Sequence, residues 1–302
     1  MTRNRTTGIE WTEHTWNPFV GCSLKSAGCT NCYAMPQAAR IERMGVTRVY
    51  DGTTANKNGK AVFTGVINRA SADTWRKPLK VREPSIFFVN SMSDFFHENA
   101  RDEWRVEALD VMRTTRHQYQ VLTKRPENIA PFLERTGATF SDNVWLGATV
   151  ERHDFTHRID TLRAIPAHIR FLSVEPLIGH PGEMDLAGIH WVIGGGESGT
   201  GAREMKPEWI RAVRDQCVAQ RVPFFFKQWG LGSNNPITHD VAAQWDVLVH
   251  DRERPREKGE QLPRLTHDGW LSTYDSNGKG GSRLDLREWK EYPPFETRGP
   301  LI

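Results

Sequence analysis

Three of the four cysteines fall within eleven residues, at Cys22, Cys29 and Cys32, with the spacing C-x6-C-x2-C. Thiolates are soft ligands, and three on one short loop can grip one face of a metal centre. A structural zinc site closes with four ligands, so three thiolates leave one coordination position for a reacting molecule. The loop therefore reads as a catalytic centre. A zinc staple completed by His14 or Cys217 is the alternative that the same thiolate chemistry allows. Cys217 lies on the apolar face of a predicted helix, which gives it the reading of a structural core thiol.

Such a loop needs a scaffold, and the rest of the chain supplies an alternating pattern. Thr15–Gly21 leads into the cysteines, and 37–44 predicts a short helix after them. The polar stretch 50–60 reads as a surface loop, and 62–68 as an inserted strand. Continuous apolar runs of the buried, parallel kind follow at 86–90, 119–123, 144–149, 169–174, 191–194 and 223–227. Between them, 102–114, 127–134, 154–164 and 207–220 carry apolar residues at helical spacing. Strand–helix alternation implies a parallel sheet with crossover helices. Six or seven such units predict an α/β fold, a partial (β/α) barrel of the TIM type. No G-x-G-x-x-G follows an early strand, which argues against a dinucleotide fold. Residues 1–233 form this barrel; 234–302, rich in charges and turns, form a C-terminal extension packed on it.

In β/α barrels the loops after the strands build the active site. Here nearly every predicted strand ends in a charged or hydrogen-bonding group. Ser91, Ser93, Asp94 and His97 follow one strand, Lys124 and Arg125 the next, then Glu151, then Ser173–Glu175, then Gly194–Gly196 with Glu197, and finally Lys227. The glycine run predicts close approach of backbone to a ligand. Lys124, Arg125 and Lys227 are candidates for meeting an anion. The cysteines, Asp94, Lys124, Glu151, Glu175, Glu197 and Lys227 are expected to face one cavity.

The wider pattern Trp16-Asn17-Pro18, Gly21-Cys22, Gly28-Cys29 and Cys32-Tyr33-Ala34, with the later Gly194–Gly199, resembles a phage-associated family of the radical S-adenosylmethionine superfamily. The resemblance covers nearly the whole chain. The spacing departs from the superfamily's usual C-x3-C-x2-C, and Asn31, not an aromatic residue, precedes Cys32. The resemblance implies that Cys22, Cys29 and Cys32 hold a [4Fe–4S] cluster and that S-adenosylmethionine is cleaved reductively to a 5′-deoxyadenosyl radical. It places the cofactor against Ser91, Ser93, Asp94, Glu151, Ser173, Gly194, Gly195, Gly196 and Glu197, with Tyr33 packing on the adenine. Lys124, Glu175 and Lys227 remain to act on substrate. It further implies an electron donor such as a flavodoxin or ferredoxin, and a nucleic acid base or nucleotide as substrate. A zinc-stapled nucleic-acid-binding module without catalysis is the alternative function.

Composition sets the outer bounds. With 302 residues, 38% hydrophobic and 25% charged, the chain reads as one globular α/β unit. A net charge of +3 neither demands nor excludes nucleic acid. Four cysteines with three clustered make no disulfide framework, and no apolar leader or membrane span is evident. A reducing cytoplasm is the expected setting.

Overall fold

The six apolar runs and the segment before the cysteine loop become seven parallel strands in a single sheet. They are β1 (His14–Trp16), β2 (Ile86–Val89), β3 (Gln118–Thr123), β4 (Val144–Thr149), β5 (Ile169–Val174), β6 (Trp191–Gly195) and β7 (Phe224–Gln228), in that spatial order. The sheet curls into an open half-barrel, as the alternation predicts. The computed structural model describes residues 6–236, 279, 281–285 and 287–294. Most of the expected extension 234–302 lies outside the described residues.

Helix α1 (Ala34–Met44) packs beside the cysteine loop with Val20, Phe63 and Met92, whereas α2 (Asp102–Arg113), α3 (Ile129–Thr136), α4 (His157–Arg163) and α5 (Pro207–Ala219) cover the convex face. Alternate strand residues such as Val121, Leu146, Leu172 and Phe224 pack there against Leu109, Phe132, Ile159 and Ile210 in one core. The opposite residues fill the concave face with rings. Trp191 sits at its centre, with ring centroids 5.8–6.3 Å from Trp11, Trp145, Phe171 and Phe225. This aromatic plug closes the middle of the half-barrel and leaves its C-terminal rim open.

The free edge of β7 is covered. The Phe226 N–H donates to Trp289 O at 2.8 Å and the Glu291 N–H to Phe224 O at 3.2 Å, while Tyr292 stacks on Trp191. An antiparallel partner thus satisfies backbone that would otherwise be exposed. Among the described residues no helix is long and apolar enough to cross a membrane.

Five expectations need correction. The stretch 50–60 is no simple loop, because Thr54–Lys57 pairs antiparallel with Lys60–Phe63. The turn is Asn58-Gly59, both at positive φ, the two-residue hairpin chemistry that Asn-Gly favours. The strand expected at 62–68 is split between this hairpin and Asn68–Arg69, which pairs with Phe19–Val20. The first helix begins three residues early, at Ala34. The helices expected at 127–134 and 154–164 each open with a 3-10 turn, at Pro126–Asn128 and His153–Phe155.

Candidate functional site at the half-barrel rim

Backbone contacts fix the cysteine loop onto the rim. The Gly21 N–H donates to Met92 O at 3.1 Å, and the Gly65 N–H to Cys22 O at 2.9 Å. Gly21 sits at φ +95, and an added Cβ would lie 2.1 Å from Val66 O, so only glycine fits. The 3-10 turn Ala27–Cys29 is closed by the Cys29 N–H on Ser26 O, and the Met35 N–H on Cys32 O leads into α1. Cys32 thereby stands at the N-terminus of α1. Burial pushes its thiol up, opposed by the N–H groups of Ala34 and Met35. Burial, reinforced by Asp94 and opposed by Arg125, pushes Cys22 up to about 12. All three cysteines are free thiols and line one cavity of about 170 Å³, together with Asn90, Ser93 and Asp94. Asn90 Oδ1 and Ser93 Oγ are buried there without a hydrogen-bond partner in the protein. Among the described residues no three His, Cys, Asp or Glu side chains form a set able to hold a metal ion.

A second cavity of about 220 Å³ adjoins the first and shares Cys32, Tyr33, Phe88, Leu122, Lys124 and Thr149 with it. Its floor is apolar, from Ile9, Trp11, Phe88 and Leu122; Ser173, Glu175, Glu197 and Lys227 supply polar walls. The Tyr33 hydroxyl donates to Ser91 O at 2.9 Å across the mouth.

Each carboxylate at the rim is held by a cation. Asp94 accepts from the Thr123 hydroxyl (2.6 Å), the Lys124 N–H (3.0 Å) and Arg125 Nη1 (3.1 Å). Arg125 continues to Glu98 and to Ser23, whose hydroxyl meets His97 Nε2 at 2.8 Å. The Asn99 N–H donates to His97 Nδ1, so the ring of neutral His97 carries its proton on Nε2 and donates to Ser23. Burial, with Arg125 nearby, lowers the pKa of His97 and favours that neutral form.

Glu151 is fully buried and accepts from Ser26 (2.5 Å), Lys124 (2.5 Å) and Arg158 (3.0 Å). Burial alone would raise its pKa; Lys124, Ser26 and Arg158 more than offset this and hold it below the usual carboxylate range. Glu197 forms a fork with Arg203 at 2.6 and 2.8 Å and accepts from Asn31 at 3.0 Å. Burial opposes its ionisation, and Arg203 and Asn31 prevail, so its pKa is lowered. Lys227 donates to Glu175 at 2.6 Å.

The structure brings most of the expected residues together. Cys22, Cys29, Cys32, Ser91, Ser93, Asp94, Lys124, Ser173, Glu175, Glu197 and Lys227 line the two cavities. Glu151 does not; it lies beneath, anchoring Lys124 and the cysteine loop. Gly194, Gly195 and Gly196 are not in either lining. Packing accounts for their small size: an added Cβ would meet Ile210 at Gly194 and Trp229 O at Gly196. Their backbone is also engaged, since the Gly196 N–H donates to Gln228 O and Gly195 O accepts from Leu177, around a register shift between β6 and β7. His14 and Cys217 do not line the cavities either. His14 stacks on Phe87 at the start of β1, and Cys217 is sunk in the convex core.

Sequence reasoning missed the groups that tie the loops together: Asn31, Arg158 and Arg203. Arg203 Nη1 donates to Ala27 O at 2.9 Å, and Asn31 also donates to Gly201 O at 2.8 Å. None of the three follows a strand directly, so only the folded loops reveal them.

Fold and site define an open parallel α/β half-barrel whose strand-end loops enclose a three-cysteine cavity and an adjoining charged one. The chain belongs to the family described as "Protein of unknown function (DUF5131)", whose model matches residues 6–293. No curated protein and no solved structure matches it.

Proposed function

We propose that this protein is an iron–sulfur enzyme of the radical S-adenosylmethionine type, acting on a nucleobase or nucleotide. The observation that carries the reading is the joining of two cavities at one rim, one bearing the three free thiols and the other walled by hydrogen-bonding groups on an apolar floor. Cys22, Cys29 and Cys32 would hold a [4Fe–4S] group. The donor set suits it in chemistry: three thiols line one space, and thiolates are the ligands that hold such clusters. The partnerless Asn90 Oδ1 and Ser93 Oγ in the same cavity are polar groups that a bound molecule would satisfy. With S-adenosylmethionine bound, such a group supplies reductive cleavage of the sulfonium to a hydrogen-abstracting 5′-deoxyadenosyl radical.

This chain's own residues do the rest. The N–H groups of Ala34 and Met35 stabilise Cys32 as a thiolate ligand. Asp94 and Arg125 brace the Cys22 side of the loop, Glu151 and Ser26 the Cys29 side, and Glu197 with Asn31 the Cys32 side. Trp11, Phe88 and Leu122 keep the cavity floor dry. The Lys227–Glu175 pair offers a donor and an acceptor to substrate from one wall.

The test is anaerobic reconstitution with iron and sulfide, then reduction with S-adenosylmethionine and an assay for 5′-deoxyadenosine. Wild-type protein and Cys217→Ala should retain iron and sulfide and release the nucleoside; Cys22→Ala, Cys29→Ala and Cys32→Ala should each lose both. Zinc as the metal of the purified protein, or loss of iron on Cys217→Ala alone, overturns the reading.

A further inference from the structure

Residues 36–63 carry five basic residues and two acidic ones, a net +3. Arg40, Arg43, Arg48, Lys57 and Lys60 are all exposed. Both acids are already engaged. Glu42 accepts from the Gly52 N–H and the Thr54 hydroxyl, and Asp51 pairs with Arg48. Arg40, Arg43, Lys57 and Lys60 make no ion pair among the described residues.

This segment is also a wall of the site. It comprises α1 and the hairpin Thr54–Phe63, and the buried face of α1 packs with Phe63, Met92, Cys22 and Cys32. Phe63 lines the cysteine cavity. Tyr33, at the head of α1, lines both cavities and is still 55% exposed.

In and directly around the cavities the charge is balanced. Lys124 is paired with Glu151, Lys227 with Glu175, Arg203 with Glu197 and Arg125 with Asp94. A phosphate entering there would have to displace a carboxylate from its cation. On the segment 36–63 it would meet Arg40, Arg43, Lys57 and Lys60, which have no ion-pair partner among the described residues.

We infer that the insert 36–63 binds the phosphate backbone of a single-stranded nucleic acid, with Tyr33 as a stacking platform at the mouth, so that a base and not a phosphate enters the cavity. A base is free to stack on an exposed ring only when it is unpaired. The inference names the substrate class for the enzyme proposed above and rests on that reading only for what happens inside the cavity.

Fluorescence anisotropy of a labelled oligo-thymidylate of about 20 nucleotides with the full-length protein tests it. Between about 50 and 200 mM salt, affinity should fall with a log–log slope of about 0.7 per phosphate contact. The combined variant Arg40→Gln, Arg43→Gln, Lys57→Gln, Lys60→Gln should weaken binding about tenfold or more at low salt and flatten that slope. Tyr33→Ala should weaken it about tenfold and leave the slope unchanged. Arg82→Gln with Arg116→Gln, on segments leading into β2 and β3 at the other end of the barrel, should change nothing. No binding, salt-independent binding, equal loss in the control pair, or a duplex bound as tightly as the single strand overturns the inference. Iron content measured on the same samples separates the two claims: oligonucleotide binding without iron sinks the enzyme, and iron without oligonucleotide binding sinks the surface.

Discussion

Glu151 shows how one buried charge can organise a loop that it does not belong to. It has no exposure to solvent, yet it takes hydrogen bonds from Ser26 on the cysteine loop, Lys124 after β3 and Arg158 on α4. Gly28 rides directly above it, where an added Cβ would lie 2.6 Å from Glu151 Oε1. Removing one partner of a buried charge pair leaves the other uncompensated, which typically costs about 3–5 kcal/mol. Glu151→Gln should therefore lower the urea midpoint substantially and loosen iron retention, and Gly28→Ala, whose methyl would push on the same pinned carboxylate, should move both in the same direction. The acid limb provides a second readout. The folded pKa of Glu151 is depressed, so its contribution is fully present above the unfolded value of about 4.3 and is lost as the pH falls through the lower folded value. Glu151→Gln should flatten the fall in stability below about pH 4. An unchanged midpoint at neutral pH together with an unchanged acid limb would remove Glu151 from this role.

Among elements, the site depends on one loop reaching back over another. The segment after β6 returns through Arg203, which grips Glu197 with two nitrogens and the carbonyl of Ala27 with a third, while Asn31 ties Glu197 to Gly201 O. This latch joins the cysteine loop to the far side of the half-barrel. Arg203→Ala should lower iron per chain and speed its loss to a chelator, and should also lower the thermal midpoint, because it leaves the buried Glu197 carboxylate without its cation. Retention of iron at the wild-type rate would show that the latch does not position the loop. The contrast with the strands shows what the sequence can carry. Runs such as Ile86–Val89 and Val144–Thr149 are buried on both faces, so continuous apolar character announces them and the groups that follow. Arg203 and Asn31 matter only because two loops distant in sequence meet. The packing of the glycine run was hidden for a related reason: Gly194 and Gly196 make room for Ile210 on α5 and for the Trp229 carbonyl after β7, contacts that no local pattern encodes. The hairpin at Thr54–Phe63 was legible, since Asn58-Gly59 is a turn signal, but its polar, exposed strands lack the alternation that would flag them.

At the scale of the whole molecule, the two ends of the half-barrel divide the labour. The C-terminal rim carries the cavities, and the opposite end carries histidines, His14 and His117 buried and His190 half-buried, that serve packing. His14 opens β1, while His117 and His190 directly precede β3 and β6. All three have lowered pKa values, with burial the main cause. Lys77 and His117 add to this at His14, and Glu13 opposes it. At His117 the carbonyls of Pro78 and Val81 oppose burial, as does Glu13, while Arg116 reinforces it. Arg170 and His168 reinforce it at His190, where a hydrogen bond with the Arg170 backbone opposes it. The sign follows directly. The unfolded chain takes up protons near pH 6.5 while the folded rings stay neutral, so stability is full above about 6.5 and is lost as the pH falls through the lower folded values. This window lies well above that of Glu151, so the two can be separated in one titration. The urea midpoint should fall between about pH 7.5 and 5.5, and His117→Gln should flatten that fall while preserving a hydrogen bond to Pro78 O. A midpoint that is level or rises across this range would mean that these rings are as easily protonated in the folded chain as in the unfolded one, and the burial argument for the lower end would fail.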